Sequence, residues 1–256
     1  MIIKFLKIVD DKILFGIIHS VFQKIRTIKS FKELKNIEYT YKNYYEKKDS
    51  KLSELCDLYG SDKGYKNLQS RTFYNNYHPH TYTDFYSSLF DHCRFQVKKV
   101  FECGIGSNNP SVPSNMGTKY SPGASLKVWR DYFENANIYG ADVDKNILFT
   151  ETRIKTFFVD QLKKETITEM WKEIKETNFD LIIDDGLHTF NAGKCLFENS
   201  FDRLRSGGVY IIEDVTMPDL FKFLTYFKKY NPEFITLRSR YKKLLKDNNL
   251  ILIRKS

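Results

Sequence analysis

Two short apolar runs in this chain each end in side chains that could do chemistry. The runs are residues 179–183 and 207–212, and the side chains that follow them are Asp184, Asp185, His188, Glu213 and Asp214. Runs of this kind are typical of strands that are buried on both faces of a parallel sheet. Ligands of open α/β sheets bind just beyond the carboxyl ends of such strands. Carboxylates are hard oxygen ligands and histidine exchanges protons near neutral pH, so the cluster indicates a divalent cation and a general base.

His188 follows Asp185 by three residues, at the start of the next predicted helix, so both side chains are expected to reach one substrate oxygen. An imidazole with an ordinary pKa of about 6.5 is mostly neutral at pH 7 and can accept a proton. If the two runs form neighbouring strands about 4.8 Å apart, Asp185 can share one ion with Glu213 and Asp214. Asp184 has two alternative roles, as a cap of that helix or as a support for the site.

Another predicted strand leads into a glycine turn with the sequence Gly104-Ile105-Gly106. Two glycines allow the backbone to approach a ligand closely. The third glycine of a dinucleotide-binding fingerprint is missing, because Asn109 and Pro110 follow the turn. The glycine turn by itself is therefore weak evidence for a nucleotide site. The acidic residues further along the chain strengthen that interpretation.

In nucleotide-binding folds an acidic residue about 20 positions after the glycine turn binds the ribose hydroxyls. Asp142 follows Gly106 by 36 residues, of which the Asn-, Pro-, Ser- and Gly-rich loop 107–124 contributes 18. Without the loop the spacing fits, which predicts that the loop is an insertion acting as a lid over the ligand. The next strand ends in Asp160 and Gln161, which would meet an adenine edge. Turn or cap chemistry explains any one such acid, but acids after three successive strands favour a nucleoside ligand.

Strands and helices alternate in the predicted structure from residue 97 onward. Strands are predicted near 97–103, 136–142, 155–160, 179–184, 207–213, 234–239 and 248–254. Helices are predicted near 124–135, 145–153, 162–177, 189–204 and 217–230. This alternation predicts an α/β fold: a doubly wound, mostly parallel, seven-stranded Rossmann-like sheet with an antiparallel last strand. We expect one domain over residues 49–256, preceded by a helical N-terminal extension over residues 1–48.

The composition of the 256 residues favours a cytoplasmic protein with an anionic ligand. The net charge of +9 suits a phosphorylated substrate, a nucleotide-linked sugar, nucleic acid or an acidic membrane surface, and a solvated lysine-rich surface explains it equally well. The excess lies in lysine tracts rather than in an arginine–aromatic stripe, so no nucleic-acid partner is expected. The four cysteines have no zinc-binding or CxxC spacing and are predicted to be reduced thiols.

The first 22 residues have an apolar helical face, but they also carry charged side chains at Lys4, Lys7, Asp10, Asp11 and Lys12. Such a segment is too charged to span a membrane, and the two acids lie where a signal peptide needs its apolar centre. No transmembrane segment is therefore predicted. The apolar face would pack on the body of the protein, on another subunit in a homo-oligomer, or on a membrane surface, and the periodicity leaves these alternatives open.

Several motifs, taken together and in order over about residues 55–215, carry a resemblance to known proteins. Residues 102–106, 142 and 160 resemble the class I S-adenosylmethionine (SAM)-dependent methyltransferases. More narrowly, residues 59–64, 80–82, 123–129, 184–188 and 212–214 are similar to motifs of the metal-dependent sugar O-methyltransferases that act on macrolide antibiotics. The chain also resembles methyltransferases encoded among bacterial capsule and lipopolysaccharide genes.

The resemblance implies a role for individual residues. Asp185, Glu213 and Asp214 would bind Mg²⁺, and His188 would be the catalytic base beside Asp185. The residues that would line the SAM site are Glu102, Gly104, Gly106, Asp142, Asp160, Gln161, Ser125 and Tyr59. Leu187 stands where the family usually has a small polar residue, and the N-terminal region is short, so we expect the acceptor pocket to differ.

The sequence thus predicts a SAM-dependent, divalent-metal-assisted O-methyltransferase. A sugar hydroxyl is a poor nucleophile at pH 7, but a divalent cation lowers its pKa and His188 is placed to take the proton. The predicted acceptor is a hydroxyl of a sugar or a similar small polar compound, phosphorylated and phosphoramidate compounds included, in bacterial surface-glycan, capsule or natural-product biosynthesis. Two alternatives are a nucleic-acid methyltransferase that uses the positive charge and a non-catalytic SAM-binding protein.

Overall fold

The computed structural model describes residues 50–64, 82–117, 121–237 and 247–256. The predicted N-terminal extension lies outside the described residues, as does His80 of one family motif. Within the described ranges, no helix has both the length and the apolar character needed to cross a membrane.

The core of the fold is an eight-stranded sheet with the order β3-β4-β2-β1-β5-β6-β8-β7. The strands are β1 (Lys99–Cys103), β2 (Asn137–Asp142), β3 (Thr150–Glu151), β4 (Ile154–Phe158), β5 (Phe179–Asp184), β6 (Leu204–Ile212), β7 (Glu233–Thr236) and β8 (Asn249–Arg254). The inner strands β4, β2, β1, β5 and β6 are parallel, whereas β8 is antiparallel to both β6 and β7. The predicted Rossmann-like fold class is confirmed, and the two-residue strand β3 is added to the seven predicted strands.

Helices cover both faces of the sheet, which explains why the central strands are apolar on both sides. The helices are α1 (Lys51–Tyr59), α2 (Thr83–Phe90), α3 (Ala124–Tyr132), α4 (Lys164–Ile174), α5 (Phe190–Ser200) and α6 (Met217–Phe227). Leu181 and Ile183 of β5 contribute to the core under α1, α2 and α3, and Ile182 contributes to the core under α4, α5 and α6. Successive residues of β5 therefore point to opposite faces of the sheet, and both faces are buried.

The predicted helix over residues 145–153 is wrong. The structure has a short 3-10 helix at Lys145–Ile147, followed by a hairpin that pairs β3 with β4. The carboxylate of Asp144 accepts a hydrogen bond from the backbone N–H of Asn146 at 3.0 Å, which favours a tight turn. The hydroxyl of Thr156 donates to the carbonyl of Phe149 at 2.7 Å and closes the hairpin across the chain. These two local contacts outweigh the helical pattern of the segment.

The order of the sheet reverses at β1, which lies between β2 and β5. In doubly wound sheets the crevice at this switch point, beyond the carboxyl ends of the strands, is where ligands bind. Cys103 at the end of β1 is in register with Asp184 at the end of β5 and with Ala141 of β2. The loops that carry the predicted site residues therefore start at the same edge of the sheet.

Candidate functional site

A cavity of about 330 Å³ opens at the carboxyl ends of β1, β2, β4 and β5. Its size lies within the usual range of small-molecule sites. Nine predicted site residues line it: Gly104, Gly106, Ser125, Asp142, Asp160, Gln161, Asp185, His188 and, from the loop after β6, Asp214. The structure thus gathers most of the predicted residues in one place.

The glycine turn after β1 is packed against the loop after β5. Gly104 has a φ of +87°, and a Cβ atom there would lie 2.0 Å from the carbonyl oxygen of Asp185. Gly106 has a φ of +85°, and its Cβ would lie 2.0 Å from the Cε of Met116. Gly104 therefore requires glycine for backbone conformation and for space, whereas at Gly106 the positive φ is the requirement, because the flexible end of the Met116 side chain can move.

Asp142 is held in a fixed orientation at the end of β2. Its carboxylate accepts hydrogen bonds from the backbone N–H groups of Ile105 and Asp144, each at 2.9 Å. Burial raises the pKa of Asp142, and these backbone hydrogen bonds oppose that rise. Asp144 in turn accepts a hydrogen bond from the hydroxyl of Ser107 at 2.6 Å, which ties the turn after β1 to the turn after β2.

Asp160 and Gln161 follow β4 and have different partners. The carboxylate of Asp160 contacts Lys163 at 2.8 Å, and this hydrogen-bonded cation lowers its pKa. The amide of Gln161 donates to Asp184 at 2.5 Å and accepts from the backbone N–H of Leu187 at 2.9 Å. Gln161 thus also orders the loop that carries the acidic cluster.

Residues 112–116 of the predicted lid line the cavity. The backbone N–H of Met116 donates to the carbonyl of Ser107 at 2.8 Å, and the hydroxyl of Ser114 lies 3.4 Å from the carbonyl of Leu187. These contacts place this part of the loop over the turn after β1 and beside the loop after β5.

Asp185, His188 and Asp214 lie close enough together that they could hold a metal ion. One candidate ligand atom from each lies within 4.8 Å of the others. His188 and Asp214 both have left-handed backbone conformations, with φ of +54° and +53°. Such conformations are costly for residues other than glycine and are concentrated at functional sites. The loops after β5 and β6 are thus bent so that their side chains converge.

Glu213 lies beside this group but is not a member of it. One of its carboxylate oxygens accepts a hydrogen bond from the hydroxyl of Tyr86 at 2.5 Å, and the other contacts the ammonium of Lys63. Burial raises the pKa of Glu213 well above its ordinary value, and the charge of Lys63 opposes the rise. Direct binding of a metal by Glu213 stays a prediction.

Lys63 is the residue of this site whose role the sequence reasoning missed. Its ammonium is buried, lies 2.6 Å from Asp185 and 3.4 Å from Glu102, and also contacts Glu213. Burial disfavours the charged form, but the three carboxylates hold the pKa of Lys63 well above its ordinary value. The sequence signal that could have identified Lys63 is its position within the family motif of residues 59–64.

Two further predicted residues lie away from the cavity lining. The carboxylate of Glu102 is fully buried, accepts a hydrogen bond from Ser125 at 2.6 Å and faces Lys63. The hydroxyl of Tyr59 donates to Asp131 on α3, where Arg130 also contacts it at 3.1 Å. Neither side chain is among the residues that line the cavity, and the cofactor contacts expected of Glu102 and Tyr59 stay predictions.

No family model matches the chain. Over 136 residues it is 30% identical to the 8-demethyl-8-alpha-L-rhamnosyl tetracenomycin-C 2'-O-methyltransferase of Streptomyces olivaceus. Over 137 residues it is 34% identical to the 3'-O-methyltransferase that acts on the 2-methoxy-rhamnosyl compound in the same organism, and 32% identical to the demethylmacrocin O-methyltransferase of Streptomyces fradiae. Each match covers 53% of this chain and about a third of the relative, 33%, 32% and 32% respectively.

The fold is similar to that of a solved methyltransferase, MycE from the mycinamycin biosynthetic pathway, in complex with Mg, S-adenosylhomocysteine (SAH) and mycinamycin VI. The TM-score is 0.55 at 24% identity, over 81% of this chain and 55% of MycE. This likeness establishes the class I methyltransferase fold. The resemblance to sugar O-methyltransferases that the motifs predicted is confirmed by the curated relatives.

Proposed function

We propose that the chain is a SAM-dependent, divalent-metal-assisted O-methyltransferase that acts on a sugar hydroxyl. The observation that carries the proposal is the convergence of Asp185, His188 and Asp214 on a cavity that the glycine turn after β1 also lines. The fold supports the proposal, and so do the curated relatives, which are all named O-methyltransferases and two of which are named for rhamnosyl compounds. Each match covers only about a third of the relative, so the activity of the whole protein is part of what we propose.

The cavity fits the chemistry of a nucleoside with a sulfonium side chain. Asp142 is a preorganised acceptor for ribose hydroxyls, since backbone N–H groups fix its carboxylate. Val143 and Leu162 line the cavity and are 43% and 54% exposed, so they offer apolar surface to a flat base. When bound, SAM would supply an electrophilic methyl group on sulfur. We assign Gly104, Gly106, Asp160, Gln161 and Ser125 to the same site.

The acidic side of the cavity fits a divalent cation. Asp185 and Asp214 offer the hard oxygen atoms that Mg²⁺ prefers, and Mg²⁺ usually takes few carboxylates and keeps positions open for other oxygens. We also assign Glu213 to this site, as a ligand that would exchange its contact with Lys63 for the ion. A bound cation would lower the pKa of an acceptor hydroxyl.

His188 would accept the proton from that hydroxyl. Its Nε2 lies 3.9 Å from the Oδ2 of Asp214, on the side of the acidic cluster. This places the imidazole within reach of an oxygen that is shared with the cluster, as a general base requires. The roles of His188 and Asp185 are separable: the imidazole would accept a proton, and the carboxylate would hold the cation.

The acceptor is proposed to be a saccharide of bacterial surface-glycan, capsule or natural-product biosynthesis. The rhamnosyl compounds in the names of two relatives support the saccharide, and the net charge of +9 supports an anionic acceptor such as a phosphorylated or phosphoramidate-bearing sugar. We further propose that residues 49–256 are the catalytic domain of a cytoplasmic enzyme and that residues 1–48 are a helical extension.

Calorimetric titration of SAM and SAH, in Mg²⁺ and then in EDTA, tests the proposal. Binding in the micromolar range that persists in EDTA is expected, because the cation belongs to the acceptor side of the cavity. His188→Ala should bind SAM like the wild type and should lose most methyl transfer to glycan precursors. Absence of SAM binding in both buffers would refute the methyltransferase assignment, and full transfer by His188→Ala would refute the role of the imidazole.

A further inference from the structure

A second, much smaller cavity borders the acidic cluster. It has a volume of about 10 Å³ and is lined by side chains from the ends of β5 and β6 and from α5 and α6, including Asp184, His188, Gly193, Asp219 and Phe223. This volume is close to the smallest that holds one water molecule. Buried water molecules typically join polar groups that would otherwise have no hydrogen-bond partner.

Two buried polar atoms belong to residues that line this cavity. They are the Oδ2 of Asp184 and the Nδ1 of His188, and neither has a hydrogen-bond partner within the described part of the chain. The other oxygen of Asp184 is already engaged, because it accepts from Gln161 at 2.5 Å and from the backbone N–H of Gly186 at 3.4 Å. Asp184 therefore has one oriented oxygen left to accept a further hydrogen bond.

Gly193 keeps the space beside this oxygen open. It lies inside α5, where glycine is unfavourable compared with alanine. A Cβ atom at this position would lie 2.9 Å from the Cζ of Phe223 and 3.2 Å from the Oδ2 of Asp184. A side chain on residue 193 would therefore take the place in which a water molecule can bind Asp184.

We propose that Asp184 is a positioning residue for His188. In this arrangement the Oδ2 of Asp184 accepts a hydrogen bond from one water molecule in the small cavity, and that water accepts the Nδ1–H of His188. The proton on Nδ1 leaves Nε2, the nitrogen that faces Asp214, with a free lone pair. The inference rests on the proposed function, because a general base needs that lone pair on the side of the substrate.

The tautomer of His188 is directly measurable in the full chain, with Mg²⁺ and SAH as the probes. Protein labelled with ¹⁵N-histidine is recorded in long-range ¹H–¹⁵N correlation spectra at pH 8, and the resonances of His188 are assigned by their loss in His188→Gln. We expect Nδ1 to resonate as a protonated nitrogen and Nε2 as an unprotonated one. The reverse pattern in the wild type would overturn the proposal.

Asp184→Asn is the decisive variant, because it keeps the shape of the side chain. Its oxygen can still accept from Gln161, which turns the NH₂ group towards the cavity as a donor. The water then donates to Nδ1, and we expect the two ¹⁵N shifts of His188 to exchange, with Nε2 now protonated. Unchanged shifts in a folded Asp184→Asn protein would overturn the proposal.

Asp219→Asn is the matched control. Asp219 lines the same cavity, but its oxygens contact Lys222 at 2.6 Å and the backbone N–H of Phe190 at 3.3 Å. The same substitution there should leave the tautomer of His188 unchanged. Gly193→Ala tests the water molecule directly. The added Cβ should displace the water and reduce the fraction of His188 in the Nδ1–H tautomer. An unchanged fraction would contradict the water bridge.

These measurements need no acceptor and no turnover. If the tautomer pattern is as expected but no methyl transfer is ever found, the proposed function fails while the pairing of Asp184 with His188 stands. If methyl transfer is found and the tautomer pattern is reversed, only the positioning role of Asp184 fails.

Discussion

Replacing Lys63 with methionine removes an ammonium that contacts three carboxylates. Asp185 is partly exposed, but Glu102 and Glu213 are fully buried, so water cannot solvate their charges when the lysine is gone. Methionine has a similar length and fills the volume of the lysine stem. The substitution therefore isolates the charge from the packing of the side chain.

The expected loss of stability follows from the cost of an uncompensated buried charge. Removing one partner of a buried ion pair costs about 3–5 kcal/mol. For a domain of about 200 residues, each kcal/mol corresponds to about 2–4 °C in melting temperature, so we expect Lys63→Met to melt about 6–20 °C below the wild type. Lys63→Arg keeps the positive charge and should lose much less.

Thermal unfolding in EDTA at pH 8, followed by circular dichroism, measures this difference. The pKa of Glu213 is already raised by burial, and loss of the Lys63 charge would raise it further. As the pH falls the carboxyl becomes neutral, so the gap between variant and wild type should narrow towards pH 5. Mg²⁺ should also narrow the gap, because a bound cation compensates the same carboxylates. Equal melting temperatures in EDTA at pH 8 would refute the reasoning.

Asp184→Asn should be more stable than the wild type above pH 6, because burial raises the pKa of Asp184 from 3.8 to about 6. As the pH rises through that range the wild type must ionise a buried carboxyl and loses about 3 kcal/mol of stability, which the neutral amide does not lose. Melting temperatures from pH 5 to pH 8 check this, and a constant gap would contradict it. Asp142→Asn should weaken SAM binding by about tenfold or more in calorimetry, since a hydrogen bond to a charged group contributes about 1.5–3 kcal/mol. Gly104→Ala should destabilise the protein more than Gly117→Ala, because both have positive φ but only the first would meet the backbone, at 2.0 Å.

The sequence alone was sufficient for the class of the fold and for much of the cavity. Strands with apolar residues on both faces, separated by amphipathic helices, have few arrangements open to them other than a doubly wound sheet. Once β1 and β5 are neighbours, the residues that end them must lie at one edge. The predictions for Gly104, Asp142 and Asp185 as neighbours depended on this rule and agree with the structure.

The short hairpin of β3 and β4 shows where pattern reasoning fails within the fold. Residues 145–153 have a composition that allows a helix, but the Asp144 turn and the contact of Thr156 with Phe149 select the hairpin. Each is a side-chain hydrogen bond to the backbone. Their strength depends on geometry, which a hydrophobic pattern does not contain.

The local sequence and the tertiary structure each determine a different aspect of the acid-rich site. Local sequence determined which acids follow which strand, because strand ends and turn residues are encoded over a few neighbouring positions. The tertiary structure decided how those acids are compensated: Lys63 reaches Asp185 from 122 positions earlier in the chain, and Tyr86 reaches Glu213 from 127 positions earlier. Contacts over such separations come from the packing of α1 and α2 on the sheet. Such contacts depend on how the elements pack in three dimensions and not on the separation of the residues along the sequence. Only the folded chain therefore brings the buried ammonium of Lys63 to its three carboxylates.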